Sequence, residues 1–168
     1  MQSVQTRTTI LDEDAVKRKI KRMALQVAEQ NAGEQELIIA GIVGNGEMVA
    51  KNVAEEIKKL NNIKVDVIKI ELNKREPAEV TLHPKVELHD KIIVIADDVA
   101  NTGKTMFYAL KPFLNAAPKK IQTLALVERS HKLFPIQTDY TGLSIAPTLQ
   151  EHIAVETEGE NITGAWLY

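Results

Sequence analysis

The sequence predicts an α/β fold in which a parallel central sheet is flanked by helices. Two stretches support this prediction, residues 36–60 and 92–110, because each reads as a buried strand, a glycine-containing loop and a helix. A third apolar run, residues 121–127, predicts a further buried strand. Strands that alternate with helices along a chain are typical of parallel sheets.

The first half of the chain begins with a polar segment whose residues 8–10 favour a strand. Asp12 is expected to start a long helix to about Asn31, because apolar residues recur on one face at helical spacing. Gly33 is the expected C-cap of this helix. Three further elements are predicted: a core strand at 36–42, a helix at 47–60 and a half-buried strand at 65–72.

The second half opens with a polar segment, residues 73–90, that contains two prolines. Such a length is unusual for a connection in a compact domain, so we expect a flap, a hairpin or a disordered segment, and treat it as a flexible hood loop. A central strand at 92–96 and a helix from Thr105 follow. Short final strands are expected at 139–143, 152–156 and 164–168. Residues 1–168 are predicted to form one domain.

Composition narrows the range of functions. The net charge is −2, with 44% hydrophobic and 26% charged residues, which is ordinary for a globular chain. The absence of cysteine excludes disulfides, thiolate metal sites and cysteine nucleophiles, and is compatible with the cytoplasm, where we expect the protein. The N-terminal sequence lacks the apolar core of a signal peptide, and no apolar run approaches the ~18 residues of a membrane span, so no membrane partner is expected.

Two adjacent acids, Asp97 and Asp98, follow the predicted central strand, and a small polar turn comes next. The turn contains Gly103, which lets the backbone approach a ligand, and the helix that follows has free N–H groups that attract an anion. Carboxylates repel phosphate but accept hydrogen bonds from hydroxyl groups. The combination therefore predicts a sugar phosphate, with its diol on the acids and its phosphate on the loop.

This stretch has two alternative interpretations. Gly103, Lys104 and Thr105 match the end of a nucleotide P-loop, but that motif requires glycine at position 98, where aspartate stands. A purely structural strand–turn–helix would not need paired acids at the strand end, where ligands of parallel sheets bind.

The stretch VIADDVANTGKT, residues 94–105, closely resembles the phosphoribosyl diphosphate (PRPP) motif of type I phosphoribosyltransferases. The resemblance implies the type I phosphoribosyltransferase fold, a parallel central sheet flanked by helices with a small hood. It also implies that Asp97 and Asp98 are the catalytic acids at the ribose hydroxyls. The residues implied to bind the 5′-phosphate are Asn101, Thr102, Gly103, Lys104 and Thr105.

The resemblance extends to the diphosphate part of PRPP, which family members bind with the loop after the first core strand. Here that loop reads Gly44-Asn45-Gly46, where the family usually has a basic tripeptide such as Thr-Arg-Gly. The residues implied to bind pyrophosphate are Val43, Gly44, Asn45, Gly46, Lys74 and Arg75. Solvated loop charges are the alternative for the last two. Mg²⁺ is the implied cofactor, held mainly through PRPP, with no metal site formed by the protein alone.

Within this family the whole chain resembles the pyrimidine operon regulators that have uracil phosphoribosyltransferase activity. The resemblance covers about residues 7–160 and includes residues 128–131, where Glu-Arg-Ser-His replaces the usual Asp-Arg-Gly-His. It implies RNA as a candidate partner and a homodimer or higher oligomer. Candidate RNA contacts are Lys17, Arg18, Lys21, Arg22, His131 and Lys132; for the four on the first helix a solvated helix face is the alternative.

The implied reaction is transfer of the phosphoribosyl group of PRPP to a nucleobase. Purine-using relatives commonly have an aspartate immediately before the Thr-Gly pair of the motif, where this chain has Asn101. Asparagine cannot act as a general base, which favours a pyrimidine, and uracil in particular, as the substrate. His131 is open as a catalytic base, a surface residue or an RNA contact. The alternative function is an RNA-binding regulator of a pyrimidine operon with little or no catalysis.

Overall fold

A computed structural model describes residues 6–60 and 63–168, so the expectations for residues 1–5 lie outside the described residues. The strands are β1 (Thr8–Leu11), β2 (Glu36–Ile42), β3 (Lys64–Leu72), β4 (Val80–His83), β5 (Ile92–Ala100), β6 (Lys120–Arg129), β7 (Tyr140–Ile145), β8 (Ile153–Glu158) and β9 (Asn161–Leu167). The helices are α1 (Glu13–Gln30), α2 (Asn45–Leu60), α3 (Lys104–Ala109) and α4 (Lys111–Leu114).

The central sheet has six strands in the order β4-β3-β2-β5-β6-β7. All neighbouring pairs are parallel except β3 with β4, which form an antiparallel hairpin at one edge. Alternate residues of the buried strands face opposite layers: Ile39 and Val94 pack with α1 and α2, whereas Ile38 and Ile93 pack with α3 and α4. The predicted α/β architecture with a parallel central sheet is therefore confirmed.

Helix α1 begins where the sequence predicts, because the side chain of Asp12 caps it by accepting a hydrogen bond of 2.7 Å from the Ala15 amide. The expected C-cap is wrong by two residues. Asn31 is the C-cap, and its amide side chain donates to the Val27 carbonyl oxygen at 2.8 Å. Gly33 follows in the left-handed conformation, with a φ of 86°.

A second, three-stranded antiparallel sheet has the order β1-β9-β8 and is built from the two ends of the chain. It packs against the layer formed by α1 and α2. Strand β4 lies within residues 73–90, because Val80 and Leu82 alternate with exposed residues and pair with β3. Of the three forms expected for this segment, the structure has a hairpin.

Strand β5 is longer than predicted. Its ladder with β2 ends at the pair Gly41–Ala96, as the apolar run suggested, but its ladder with the ten-residue strand β6 continues to Ala100. The two acids of the PRPP-like motif are therefore part of the strand rather than of the loop after it. The carboxyl end of the sheet at β2 and β5 is where the predicted ligand-binding loops meet.

Candidate active site

The PRPP-like motif surrounds a small pocket of about 140 Å³ at the carboxyl end of β5. Its lining consists of Asp97 and residues 99–106, so the structure brings together one predicted catalytic acid and all five residues predicted to bind the 5′-phosphate. At roughly 30 Å³ per water molecule, the pocket has room for a phosphate group. Asp98, the second acid, is half-buried and does not belong to this lining.

The loop before α3 depends on Gly103, whose φ of 83° lies in the left-handed region. A Cβ atom there would lie 2.8 Å from Cγ2 of Ile136, so the position excludes a side chain on two grounds. The carbonyl oxygen of Thr102 accepts hydrogen bonds from the amides of Leu133 (2.9 Å) and Phe134 (3.1 Å). The segment after β6 thus holds the loop in place.

Asp97 is an internal carboxyl group with only 3% of its surface exposed. Its Oδ1 atom accepts a hydrogen bond of 2.9 Å from the amide of Asp98. Burial, and then the charge of the neighbouring Asp98, raise the pKa of Asp97 well above its ordinary value, while the ammonium group of Lys74 opposes the rise. Asp97 is buried although it lines the pocket, because the continuing ladder with β6 and the first turn of α2 cover it.

Lys74 is brought to the acids by the hairpin between β3 and β4. Its Nζ atom lies 3.8 Å from Oδ1 of Asp97. The hairpin is anchored from the other side by Lys111, whose ammonium group donates to the Ala78 carbonyl oxygen at 2.7 Å. Arg75, the other predicted charge of this segment, is exposed, and its backbone amide donates to Oδ1 of Asn73 at 3.0 Å.

The glycine-rich loop after β2 lies directly beside the acids. A Cβ atom on Gly46 would lie 3.0 Å from Oδ1 of Asp97, so this glycine allows the first turn of α2 to approach β5. The carboxylate of Glu47 accepts a 3.3 Å hydrogen bond from the Gly44 amide, an arrangement like a capping box. Val43 continues into the sheet, since its amide donates to the Ile70 carbonyl oxygen at 2.9 Å.

Asn45 was predicted to bind pyrophosphate, but its side chain is engaged elsewhere. Its amide nitrogen donates to the Val155 carbonyl oxygen at 2.8 Å, and its Oδ1 accepts from the Thr157 hydroxyl at 3.4 Å. Both partners belong to β8 of the second sheet, so the side chain of Asn45 ties the loop to that sheet. Only the backbone of this residue is left for the predicted role.

The candidate RNA contacts differ in how accessible they are. Arg18, Lys21 and His131 are exposed, and Lys17 is exposed but paired with Glu13 at 2.8 Å. Arg22 donates to the carbonyl oxygens of Thr141 (2.7 Å) and Gly142 (2.8 Å), which ties it to β7.

Lys132 does not fit the prediction of an RNA contact. Its side chain is only 8% exposed and forms an ion pair with Glu128, beside the loop at residues 101–105 that is predicted to bind the 5′-phosphate. The physical reason is that the segment after β6 folds back over the loop, which buries the lysine stem next to Gly103.

Arg129, at the end of β6, was missed by the sequence interpretation. Its Nε atom donates to Oδ1 of Asn101 at 2.5 Å. Its two terminal nitrogens donate to the carbonyl oxygens of Pro147 (3.3 Å), Thr148 (3.1 Å) and Glu151 (2.7 Å). Its signal in the sequence was a charged residue near the end of a predicted buried strand, within the residues 128–131 that resemble the family's Asp-Arg-Gly-His.

Comparison with known proteins agrees with this geometry. The chain belongs to the phosphoribosyltransferase domain family, whose model matches residues 6–158. The predicted type I phosphoribosyltransferase class and fold are thereby confirmed.

Among curated proteins, the chain is similar to the bifunctional protein PyrR of Staphylococcus carnosus, with 34% identity over 166 residues that cover 90% of this chain and 94% of that protein. The bifunctional protein PyrR of Clostridioides difficile is 32% identical, with coverage of 90% and 93%.

Solved structures show the same fold. A mutant of the hypoxanthine phosphoribosyltransferase of Trypanosoma cruzi, complexed with the product IMP, superposes with a TM-score of 0.77 at 16% identity, covering 93% of this chain and 82% of that one. A hypoxanthine-guanine phosphoribosyltransferase of Bacillus anthracis gives a TM-score of 0.71 at 21% identity, with coverage of 82% and 81%. At these identities the likeness concerns the fold.

Two properties of the described residues bear on metals and membranes. No group of three or more histidine, cysteine, aspartate or glutamate side chains in residues 6–60 and 63–168 is arranged to hold a metal ion. Over the same part of the chain, no helix is long and apolar enough to cross a membrane.

Proposed function

We propose that this chain is a cytoplasmic phosphoribosyltransferase that transfers the phosphoribosyl group of PRPP to uracil and releases pyrophosphate. One observation carries the proposal: the buried acid Asp97 and the loop residues 101–105 line a single pocket of phosphate size in a member of this family. The acids suit a ribose diol and the loop suits its 5′-phosphate, as in the sequence interpretation.

In the proposed reaction the bond from C1 of PRPP to the diphosphate breaks, and a bond from C1 to a base nitrogen forms. Positive charge develops on the sugar in such a displacement, so catalysis rests on positioning and on charge stabilisation. Asp97 and Asp98 are the groups placed to stabilise that charge. Burial raises the pKa of Asp97 in the free protein. The positive charge that develops on the sugar favours the ionised carboxylate, because a nearby cation lowers the pKa of an acid.

Mg²⁺ is the proposed cofactor, and the donor set fits it. Two adjacent carboxyl groups supply the oxygen ligands that Mg²⁺ prefers, and a dication would relieve their mutual repulsion. Bound mainly through PRPP, Mg²⁺ would neutralise the charge of the leaving diphosphate. On the protein side, Asp98 is the more accessible acid for this role and Lys74 is the cation beside it.

Uracil is proposed over purines because Asn101 cannot act as a general base and its side-chain oxygen already accepts a hydrogen bond from Arg129. The test is pyrophosphate release from PRPP and Mg²⁺ with uracil, hypoxanthine or guanine. We expect turnover with uracil only, and loss of turnover in an Asp98→Asn variant. Efficient use of hypoxanthine would contradict the proposed specificity.

An RNA-binding regulator of a pyrimidine operon is the second candidate. The exposed side chains of Arg18 and Lys21 on α1 favour it, together with the similarity to PyrR proteins. The test is binding of the leader transcript of the protein's own pyrimidine operon at several salt concentrations, since neutralised phosphates make RNA affinity salt-dependent.

For this second function the informative variant is Arg18→Glu with Lys21→Glu, and Lys51→Glu on α2 is a matched control because Lys51 is also an exposed helix lysine. We expect the double variant to lose binding and the control to keep it. Equal binding by all three proteins would exclude α1 as the RNA surface.

A homodimer or higher oligomer is also proposed. Large apolar side chains are exposed on α3, α4 and the segment after β6, with Phe107 39%, Leu114 66% and Leu133 83% exposed. Sedimentation of the purified protein is the direct measurement, and a monomer at all accessible concentrations would reject the proposal.

A further inference from the structure

The side chain of Asn101 lies on the pocket assigned to the 5′-phosphate, and a primary amide is chemically ambiguous there. Its nitrogen donates hydrogen bonds and suits an anion, whereas its carbonyl oxygen is an acceptor and repels one. Which end faces a ligand therefore decides whether Asn101 helps or hinders phosphate binding.

Arg129 resolves that ambiguity. A guanidinium group has only donors, so the atom of Asn101 that contacts its Nε at 2.5 Å must be the carbonyl oxygen. The amide nitrogen of Asn101 is then the end left for a ligand, and within the described residues no hydrogen bond engages it. The positive charge of Arg129 also lies directly behind Asn101.

The guanidinium group is itself held firmly. Besides Asn101 it contacts three backbone carbonyl oxygens, those of Pro147, Thr148 and Glu151, in the connection between β7 and β8. These four hydrogen bonds use most of the five N–H donors of an arginine and fix the plane of the group. Lysine could not replace this geometry, because a single ammonium group does not present a rigid fork.

We propose that Arg129 is a positioning residue that turns the amide N–H groups of Asn101 toward the 5′-phosphate of the ligand. The inference rests on the proposed function, since it takes a 5′-phosphorylated ribose as the occupant of the pocket. It assigns to Arg129 a role in ligand affinity that acts through Asn101 and not through direct contact with the phosphate.

The test is a double-mutant cycle on the affinity for uridine 5′-monophosphate, measured by calorimetry with Arg129→Ala, Asn101→Ala and the combined variant. We expect each single variant to bind about tenfold more weakly, the size of one lost hydrogen bond to a charged group. The combined variant is expected to bind no more weakly than the weaker-binding single variant, because both changes remove the same interaction.

The matched control is Arg7→Ala, since Arg7 is also an arginine with a bonded guanidinium group, in an ion pair with Glu156 at 2.7 Å, but lies next to β1 of the second sheet. It is expected to bind like the wild-type protein. Melting temperatures of all variants are measured in parallel.

Two outcomes would overturn the role of Arg129 alone: losses that add in the combined variant, or an Arg129→Ala protein with a lowered melting temperature and unchanged affinity. Either result would make Arg129 only an anchor of the segment at residues 147–151. A wild-type protein that binds neither uridine 5′-monophosphate nor PRPP would refute the proposed function itself, and the inference with it.

Discussion

Replacing Asp97 by asparagine removes a carboxyl group that is 3% exposed and lies beside a second acid, yet keeps its shape. Oδ1 of the asparagine can still accept the 2.9 Å hydrogen bond from the Asp98 amide, and its NH2 group can donate to the Asp98 carboxylate. We therefore expect the Asp97→Asn protein to fold and to be more stable than the wild type at neutral pH.

The pH dependence of this gain follows from the raised pKa of Asp97 in the folded protein. Between its ordinary value of 3.8 and the raised value, the folded state binds more protons than the unfolded state, so stability falls as the pH rises. Below pH 3.8 Asp97 is protonated in both states and does not lower the free energy of unfolding of the wild type. The stability difference between the variant and the wild type should therefore be close to zero in acid and grow as the pH rises through the folded-state pKa.

The same change is expected to weaken PRPP binding. In the proposed site the ionised carboxylate accepts a ribose hydroxyl, and loss of one charge-assisted hydrogen bond is worth about 1.5–3 kcal/mol, roughly a tenfold to hundredfold loss of affinity. Gain of stability with loss of function is a common result of removing an active-site charge.

Two measurements on one protein check this reasoning: thermal unfolding from pH 4 to pH 8, and calorimetric titration with PRPP and Mg²⁺. The Asp66→Asn variant is a suitable control, because Asp66 is a partly exposed acid on β3 whose side chain is far less buried. A less stable Asp97→Asn protein with unchanged PRPP affinity would show that the acid serves the fold and would refute the assignment.

Three further variants test the remaining parts of the site. Asp98→Ala should lower PRPP affinity by roughly tenfold to hundredfold with little change in melting temperature, because this acid is half-buried and its loss removes one charge-assisted contact; an unchanged affinity would remove it from the site. Gly103→Ala should lower both stability and PRPP affinity, with about 1–2 kcal/mol arising from the left-handed backbone alone and more from the contact with Ile136; a wild-type melting curve would contradict this. Lys74→Met should weaken PRPP binding and raise the pKa of Asp97 further, since the lysine opposes that rise; wild-type affinity at all salt concentrations would show that the lysine only balances the acid.

The elements that depend on local pattern were predictable from the sequence. The apolar run at residues 92–96 is buried as expected, and α1 begins at the capping residue Asp12. The motif residues 101–105 line one pocket because they are neighbours in the chain, so their proximity needed no knowledge of the fold.

The features that depend on partners far along the chain were not predictable. Asp97 is buried because β6 extends four residues past the end of the β2 ladder, and neither length is set by residues near Asp97. The side chain of Asn45 turns to Val155, which is 110 residues away. The polar neighbours of Lys132 in the sequence predicted a surface position. The side chain is buried instead, because the chain folds back onto Gly103.

The departure from the family pattern on the diphosphate side is connected with the hairpin of β3 and β4. The loop at residues 43–46 lacks a basic side chain, and Asn45 cannot substitute because its amide is held by β8. Lys74 supplies a cation at the same edge of the sheet, 3.8 Å from Asp97. In the free protein this ammonium group offsets part of the charge of the buried acid. In the proposed complex, PRPP brings its own dication to the acids, so the lysine no longer has to neutralise Asp97 and becomes available to the diphosphate. The ammonium group of Lys74, carried by the hairpin, is thus available to bind the diphosphate where the loop has no cation. For this reason transferase activity is expected to depend on the position of Lys74 more than on the composition of the loop.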